Sequence, residues 1–158
     1  MKPITVTTLR EMKQAGMSIE SHSHTHRFLD DLGENDLREE LSVSRRVLED
    51  CIGSEVRYIS CPGGRHNRVV FDTAAEVGYH AVCTSVPGLN RVNGRRPAGL
   101  NRFLVSATTS TQTFAKIAGA DPRFVRREVL RDRAKTAVKG ILGDRLYHRL
   151  WQRVRRDL

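Results

Sequence analysis

Aromatic residues are scarce in this sequence, at 6% of its 158 positions, and no motif of nucleic-acid-binding spacing occurs in it. A surface that stacks bases or reads a groove therefore has no support, and no nucleic-acid partner is expected. Long apolar runs are missing as well. No stretch approaches the roughly 18 uninterrupted apolar residues of a membrane span, and the opening Met1-Lys2-Pro3-Ile4-Thr5-Val6-Thr7-Thr8 lacks the apolar core of a signal peptide. Cysteine is limited to Cys51, Cys61 and Cys83, an odd number with no Cys-x-x-Cys pair. Free buried thiols in a reducing compartment are the simplest reading, so a cytoplasmic chain is expected. With 39% apolar and 28% charged residues, what remains is a globular composition, long enough to bury a core without disulfides.

The formal charge of +9 is unevenly spread. Residues 121–158 carry 12 basic and 5 acidic groups, leaving 15 and 13 for residues 1–120. The basicity belongs to the tail, which suggests two regions, 1–120 and 121–158. A basic tail could lie on an anionic membrane surface, but packing on the domain is the favoured expectation for it.

Local signals alternate between helix and strand. Thr8-Leu9-Arg10-Glu11 fits a capping box and Gly16 a stop, so a helix is expected over about residues 8–15, followed by a strand from Met17 to Ser21. From Asn35, Leu37, Leu41, Val47, Leu48 and Cys51 recur at helical spacing until Gly53. Val56 to Ser60 reads as a strand and Cys61-Pro62-Gly63-Gly64 as a turn. Asn67 caps a helix over about 68–77 closed by Gly78, Tyr79 to Thr84 is a strand, residues 85–101 a long loop, and Phe103 to Ala107 a fourth strand. Ser110 or Thr111 opens a helix to Ala118. After the start signal Asp121-Pro122, the stripe Val125, Val129, Ala137, Ile141, Leu146, Leu150 and Val154, interrupted at Gly140 and Gly143, predicts two amphipathic helices. Such alternation implies an α/β fold with a parallel sheet, either a (β/α) barrel or an open sheet.

Two segments at expected strand ends carry chemistry, the place where parallel sheets put reacting groups. The first is His22-Ser23-His24-Thr25-His26. In extended backbone, residues four apart are separated by about 13 Å, so only His22 with His24, or His24 with His26, could share an ion. In a helical turn His22 and His26 lie together instead, with nitrogens about 2.0–2.1 Å from a zinc, and the pattern alone does not choose. The second is Ser60-Cys61-Pro62-Gly63-Gly64-Arg65-His66-Asn67, whose glycines let backbone N–H groups approach a ligand and whose Arg65 is a cation. Plain surface histidines and a plain strand-to-helix turn are the bland alternatives.

Taken together, these segments resemble one family, the polysaccharide deacetylases of carbohydrate esterase family four. The run from Leu9 to Leu29 is similar to the family's second motif, a strand ending in Ser-His-Thr-x-Thr-His with a Leu soon after; Val56 to Arg65 is similar to its third motif, and Ala75 to Ser85 to the helix-Gly-Tyr-strand that follows. Lys139 to Tyr147 is similar to the C-terminal tail of some bacterial members. The resemblance implies a partial distorted (β/α) barrel with a basic helical tail, and hydrolysis of an acetyl group on a carbohydrate with a divalent metal, commonly zinc. It assigns His22 and His26 as metal ligands, Ser23 as a brace of the loop, Pro62 and Gly63 as the oxyanion loop, and His24 as a residue behind the ligands or at the rim; His24 and the cation Arg65 are expected on the substrate side. Where the family has Tyr after the proline, this chain has Gly63, which implies loss of an aromatic wall. The family's Thr-Phe-Asp-Asp motif, source of the general base and third ligand, has no counterpart before His22, and no downstream Leu-x-His supplies the general acid. A member lacking its first strands is the expectation, with a non-catalytic binding module as the rival.

Overall fold

The computed structural model describes residues 4–90 and 98–142. They divide into two compact units, one within Met1–Ser85 and Asn90–Arg102, the other within Val86–Leu89 and Phe103–Leu158.

In the first unit, helix α1 (Val6–Gln14) starts before the expected box because Thr5, not Thr8, caps it: Thr5 Oγ1 accepts the Thr8 N–H at 3.2 Å. Leu9 and Met12 turn toward the core. Helix α2 (Glu34–Ile52) ends at Gly53 in the left-handed conformation, as the spacing predicts. Strand β1 (Tyr58–Ser60), helix α3 (Arg68–Val77) and strand β2 (Ala81–Cys83) follow. Asn67 and Gly78 close the two ends of α3 where the sequence places them: Asn67 Oδ1 accepts the Val70 N–H at 3.0 Å. Strand β3 (Ala98–Leu100) completes a parallel sheet of order β1-β2-β3, with Ile59 opposite Val82 and Val82 opposite Gly99. Leu29, Leu37, Leu41, Val56, Ile59, Val70, Ala74 and Val82 are sealed from solvent in one core between the sheet and the helices.

Three strand expectations change. Met17 to Ser21 forms no strand; it reaches the sheet through a single parallel bridge, Ser21 to Ile59. A continued ladder would give the Tyr58 N–H to the Ile19 carbonyl, but the Glu20 carboxylate takes the N–H groups of Arg57 and Tyr58 at 2.9 and 2.8 Å. The loop expected over 85–101 contains β3, where Gly99 lets the Phe71 ring approach to 3.3 Å of the space a Cβ would fill. Phe103 to Ala107 is not a strand, and Leu104 there is 89% exposed.

In the second unit, helix α4 (Thr111–Ala118) is capped by Ser110, and helix α5 (Pro122–Leu142) by Asp121, whose Oδ1 accepts the Phe124 N–H at 2.7 Å. Gly140 does not interrupt α5, and by helical spacing the apolar positions Phe124, Val125, Leu130 and Val138 fall on different sides of it rather than in the expected stripe. The second expected tail helix, with Leu146, Leu150 and Val154, lies outside the described residues. No helix among the described residues is long and apolar enough to cross a membrane. Cys51, Cys61 and Cys83 are free thiols, and burial pushes the Cys61 thiol up to about 12, so it stays protonated.

Candidate functional site

Parallel pairing brings the two chemistry-bearing loops to one end of the sheet. Ser21 sits beside Ile59, with its N–H bonded to the Tyr58 carbonyl and its own carbonyl accepting the Ser60 N–H at 2.9 Å. The chain therefore leaves the sheet at His22 next to the place where β1 runs into Cys61-Pro62.

Residues 22–26 take the turn rather than the extended alternative. Ser23 and His26 both have left-handed backbones, at φ 67° and 62°, conformations that cost non-glycine residues about 1–3 kcal/mol each. Ser23 Oγ accepts the His26 N–H at 3.0 Å, the bracing role its position implies. The turn sets the His22 and His26 rings 5.0 Å apart, centroid to centroid, at 68°. Two imidazoles on one tetrahedral zinc have about that separation, and so does an edge-to-face ring pair. The His22 tautomer points the same way as the first of these. Its Nδ1 lies 2.7 Å from the Ser60 carbonyl, which can only accept, so in the neutral ring Nδ1 carries the proton and Nε2 is the nitrogen with the lone pair.

Beneath the loop lies a residue the sequence reading passed over. Glu40, on α2, is 5% exposed and has its carboxylate turned to the loop: Oε2 accepts the N–H groups of His24 and Thr25, each at 2.9 Å, and Oε1 accepts the Thr25 hydroxyl. Burial pushes its pKa up, but the Thr25 and His24 bonds outweigh burial and hold the carboxyl below its ordinary range. His24 itself is exposed and lines a separate hollow of about 270 Å³ with Thr25, Asp36, Glu39 and Glu40.

In the second loop, Gly63 and Gly64 have φ of 62° and 68°. Pro62 is buried and, having no N–H, contributes shape alone. The turn uses the N–H groups of Gly64 and Arg65 on the Cys61 and Pro62 carbonyls. The Gly63 N–H, on an exposed residue, has no partner among the described residues. Beside Gly63, where the resemblance implies loss of an aromatic wall, the Phe28 ring stands 2.8 Å from where a Gly63 Cβ would be. Arg65 stacks over Phe28 at 4.7 Å and pairs with Asp30 at 2.9 Å and with Asp31. It is a fixed cation, as expected, but one already balanced by two carboxylates that the sequence reading left without a role.

As donors, the two histidines fit a zinc-type ion. Among the described residues no group of three His, Cys, Asp or Glu side chains is placed to hold a metal. A catalytic zinc site usually has three protein ligands, of which His22 and His26 could be at most two.

The family model described as polysaccharide deacetylase matches residues 5–82. Residues 5–82 are thus similar to the polysaccharide deacetylase family. Similar over 85 residues, at 32% identity, is YxkH of Bacillus subtilis (strain 168), a candidate polysaccharide deacetylase by its description; the match covers 54% of this chain and 30% of YxkH. Among solved structures, the Streptococcus pyogenes deacetylase PplD, in complex with acetate, superposes with TM-score 0.65 at 26% identity over 72% of this chain and 50% of that one. A polysaccharide deacetylase from Bacillus cereus gives 0.64 at 26% over 72% of this chain and 36% of its own. The chain therefore spans about a third of the curated deacetylase relative it matches and half or less of these two structures. Its α/β fold, with a small parallel sheet, is similar to that of polysaccharide deacetylases.

Proposed function

We propose that this chain is part of a metal-dependent hydrolase that removes acetyl groups from a carbohydrate, with His22 and His26 holding a divalent metal, zinc by preference. The observation that carries the reading is the convergence of the two rings at 5.0 Å with the His22 proton held on Nδ1. When bound, such an ion activates a water and polarises the acetyl carbonyl. The chain's own residues supply part of what remains. The Gly63 N–H is offered to the oxygen of the acetyl carbonyl as negative charge develops on it. Phe28 and Arg65 border that position, and His24 stands at the rim for the sugar. No residue of this stretch is assigned as general base or acid, and with two neutral ligands alone an ion is weakly held.

On this reading the three strands are part of a distorted (β/α) barrel, residues 1–120 form the deacetylase-like domain, 121–158 a helical tail, and the third ligand and base come from a segment this stretch does not contain. A membrane-surface role for the tail is the less favoured alternative to packing on the domain. The absence of a third metal donor among the described residues favours a second reading, a carbohydrate-binding module that keeps the fold without the chemistry.

Zinc titration and acetate release from acetylated chitooligosaccharides separate these. The 158-residue chain is expected to bind zinc weakly, to lose binding in His22→Ala and in His26→Ala, and to release little acetate. Adding a strand segment that carries an Asp-Asp pair should raise both. Oligosaccharide binding with no acetate release in that supplemented protein would favour the binding module. Robust turnover by the chain alone, unchanged by either substitution, would show that the site is elsewhere.

A further inference from the structure

The turn that joins His22 to His26 has a conformation its own residues do not favour, with left-handed backbones at two non-glycine positions. One brace lies within the loop, from Ser23 Oγ to the His26 N–H; the others come from outside it. Along the buried side of α2, Glu40 and Ser44 lie one helical turn apart, 5% exposed each, in an otherwise apolar row with Leu37 and Leu41. Glu40 grips the middle of the turn through the two N–H groups and the hydroxyl described above. Ser44 grips its start: its hydroxyl lies 2.7 Å from Ser21 Oγ and donates to the Ser23 carbonyl at 3.1 Å.

We infer that Glu40 and Ser44 are positioning residues for the histidine pair, a buried polar rail on α2 that dictates the turn and so the approach of His22 to His26. This rests on the proposed metal site but goes beyond it, because neither residue is a ligand. An ionised carboxylate suits the Glu40 position best. One oxygen receives two converging N–H groups while the other receives a hydroxyl; a glutamine could keep these contacts only by reversing the Thr25 hydroxyl to accept its NH₂, and it would exchange charge-assisted bonds for weaker neutral ones. The arrangement also explains a buried acid on the core side of a helix, where burial without such partners is unfavourable.

Cobalt(II) titration of the full 158-residue chain is the test, with amide hydrogen exchange read on the same samples. Glu40→Gln should weaken cobalt binding about 10- to 100-fold, alter the cobalt visible spectrum, and speed exchange of the His24 and Thr25 amides while core amides such as Ile59 and Val82 keep their protection. Ser44→Ala and Thr25→Val, which leave the carboxylate in place, should each give a smaller loss in the same direction, and Glu40→Asp should restore part of the binding. Cobalt affinity within twofold of the unmodified chain in Glu40→Gln, with an unchanged spectrum, would overturn the inference. If the unmodified chain binds no cobalt through His22 and His26, the functional reading fails by itself. The exchange of His24 and Thr25 still decides the rail: faster in Glu40→Gln supports it, unchanged refutes it.

Discussion

Helices α3 and α4 begin in the same way and end up in different surroundings. Each is opened by a side-chain oxygen that accepts a backbone N–H in its first turn, Asn67 to Val70 at 3.0 Å and Ser110 to Thr113 at 3.2 Å. Yet α3 buries Val70, Thr73 and Ala74 against the sheet and α2, while α4 buries no residue and, in its unit, Phe124 alone of the described hydrophobic side chains is buried. Capping chooses where a helix starts; burial needs an apolar neighbour at the right place. The first unit has that neighbour in Leu37, Leu41, Ile59 and Val82, and it is the unit that holds the histidine turn.

The largest expected effect tests this contrast at its core. Leu41→Ala, at a position with no exposed surface, should lower stability by about 2–5 kcal/mol in urea unfolding. Next comes the glycine turn. A Cβ at Gly64 would stand 2.1 Å from Ser85 Oγ and 3.0 Å from the Ser85 backbone nitrogen, at φ 68°, so Gly64→Ala should cost about 1–3 kcal/mol. The same measurement made across pH should expose Glu40. Its carboxyl is held below the ordinary range in the folded chain, so its stabilisation is complete above that range and is lost as pH falls through the lowered value. Glu40→Gln should flatten that acid-side slope as well as lowering stability near pH 7.

Smaller effects sharpen the comparison from the other side. Asn67→Ala should cost about 1 kcal/mol of global stability, whereas Ser110→Ala, removing the same kind of bond, should reduce helicity in α4 and leave the main unfolding transition where it was. Leu104→Ala, at 89% exposure, should change stability by less than about 0.5 kcal/mol. A large loss there would mean that the second unit carries an apolar contact this account omits.

What was legible in the sequence follows the same division. The ends of α2 and α3 were readable because Gly53, Asn67 and Gly78 act on the backbone next to them. The segments that depend on distant partners were not. The strand expected at Met17 is replaced because Glu20 reaches across to Arg57 and Tyr58, and β3 forms around Gly99, a residue that local preference places outside strands. At the site, the family resemblance singled out His22 and His26, but their approach depends on left-handed backbones at Ser23 and His26 that no residue type announces. Glu40 was hidden for a plainer reason. An acid next to Glu39 on a helix rich in charge reads as a solvent-facing position until its hydrogen-bond partners are known.

The central claim is that His22 and His26 together hold a metal. X-ray absorption of the zinc-loaded 158-residue chain, compared with His22→Ala and His26→Ala, counts the imidazoles around the ion directly. Two imidazoles with oxygen completing the sphere, falling to one or to no bound zinc in each variant, is the predicted result. A sphere containing sulfur, or an imidazole count unchanged by either substitution, would contradict it.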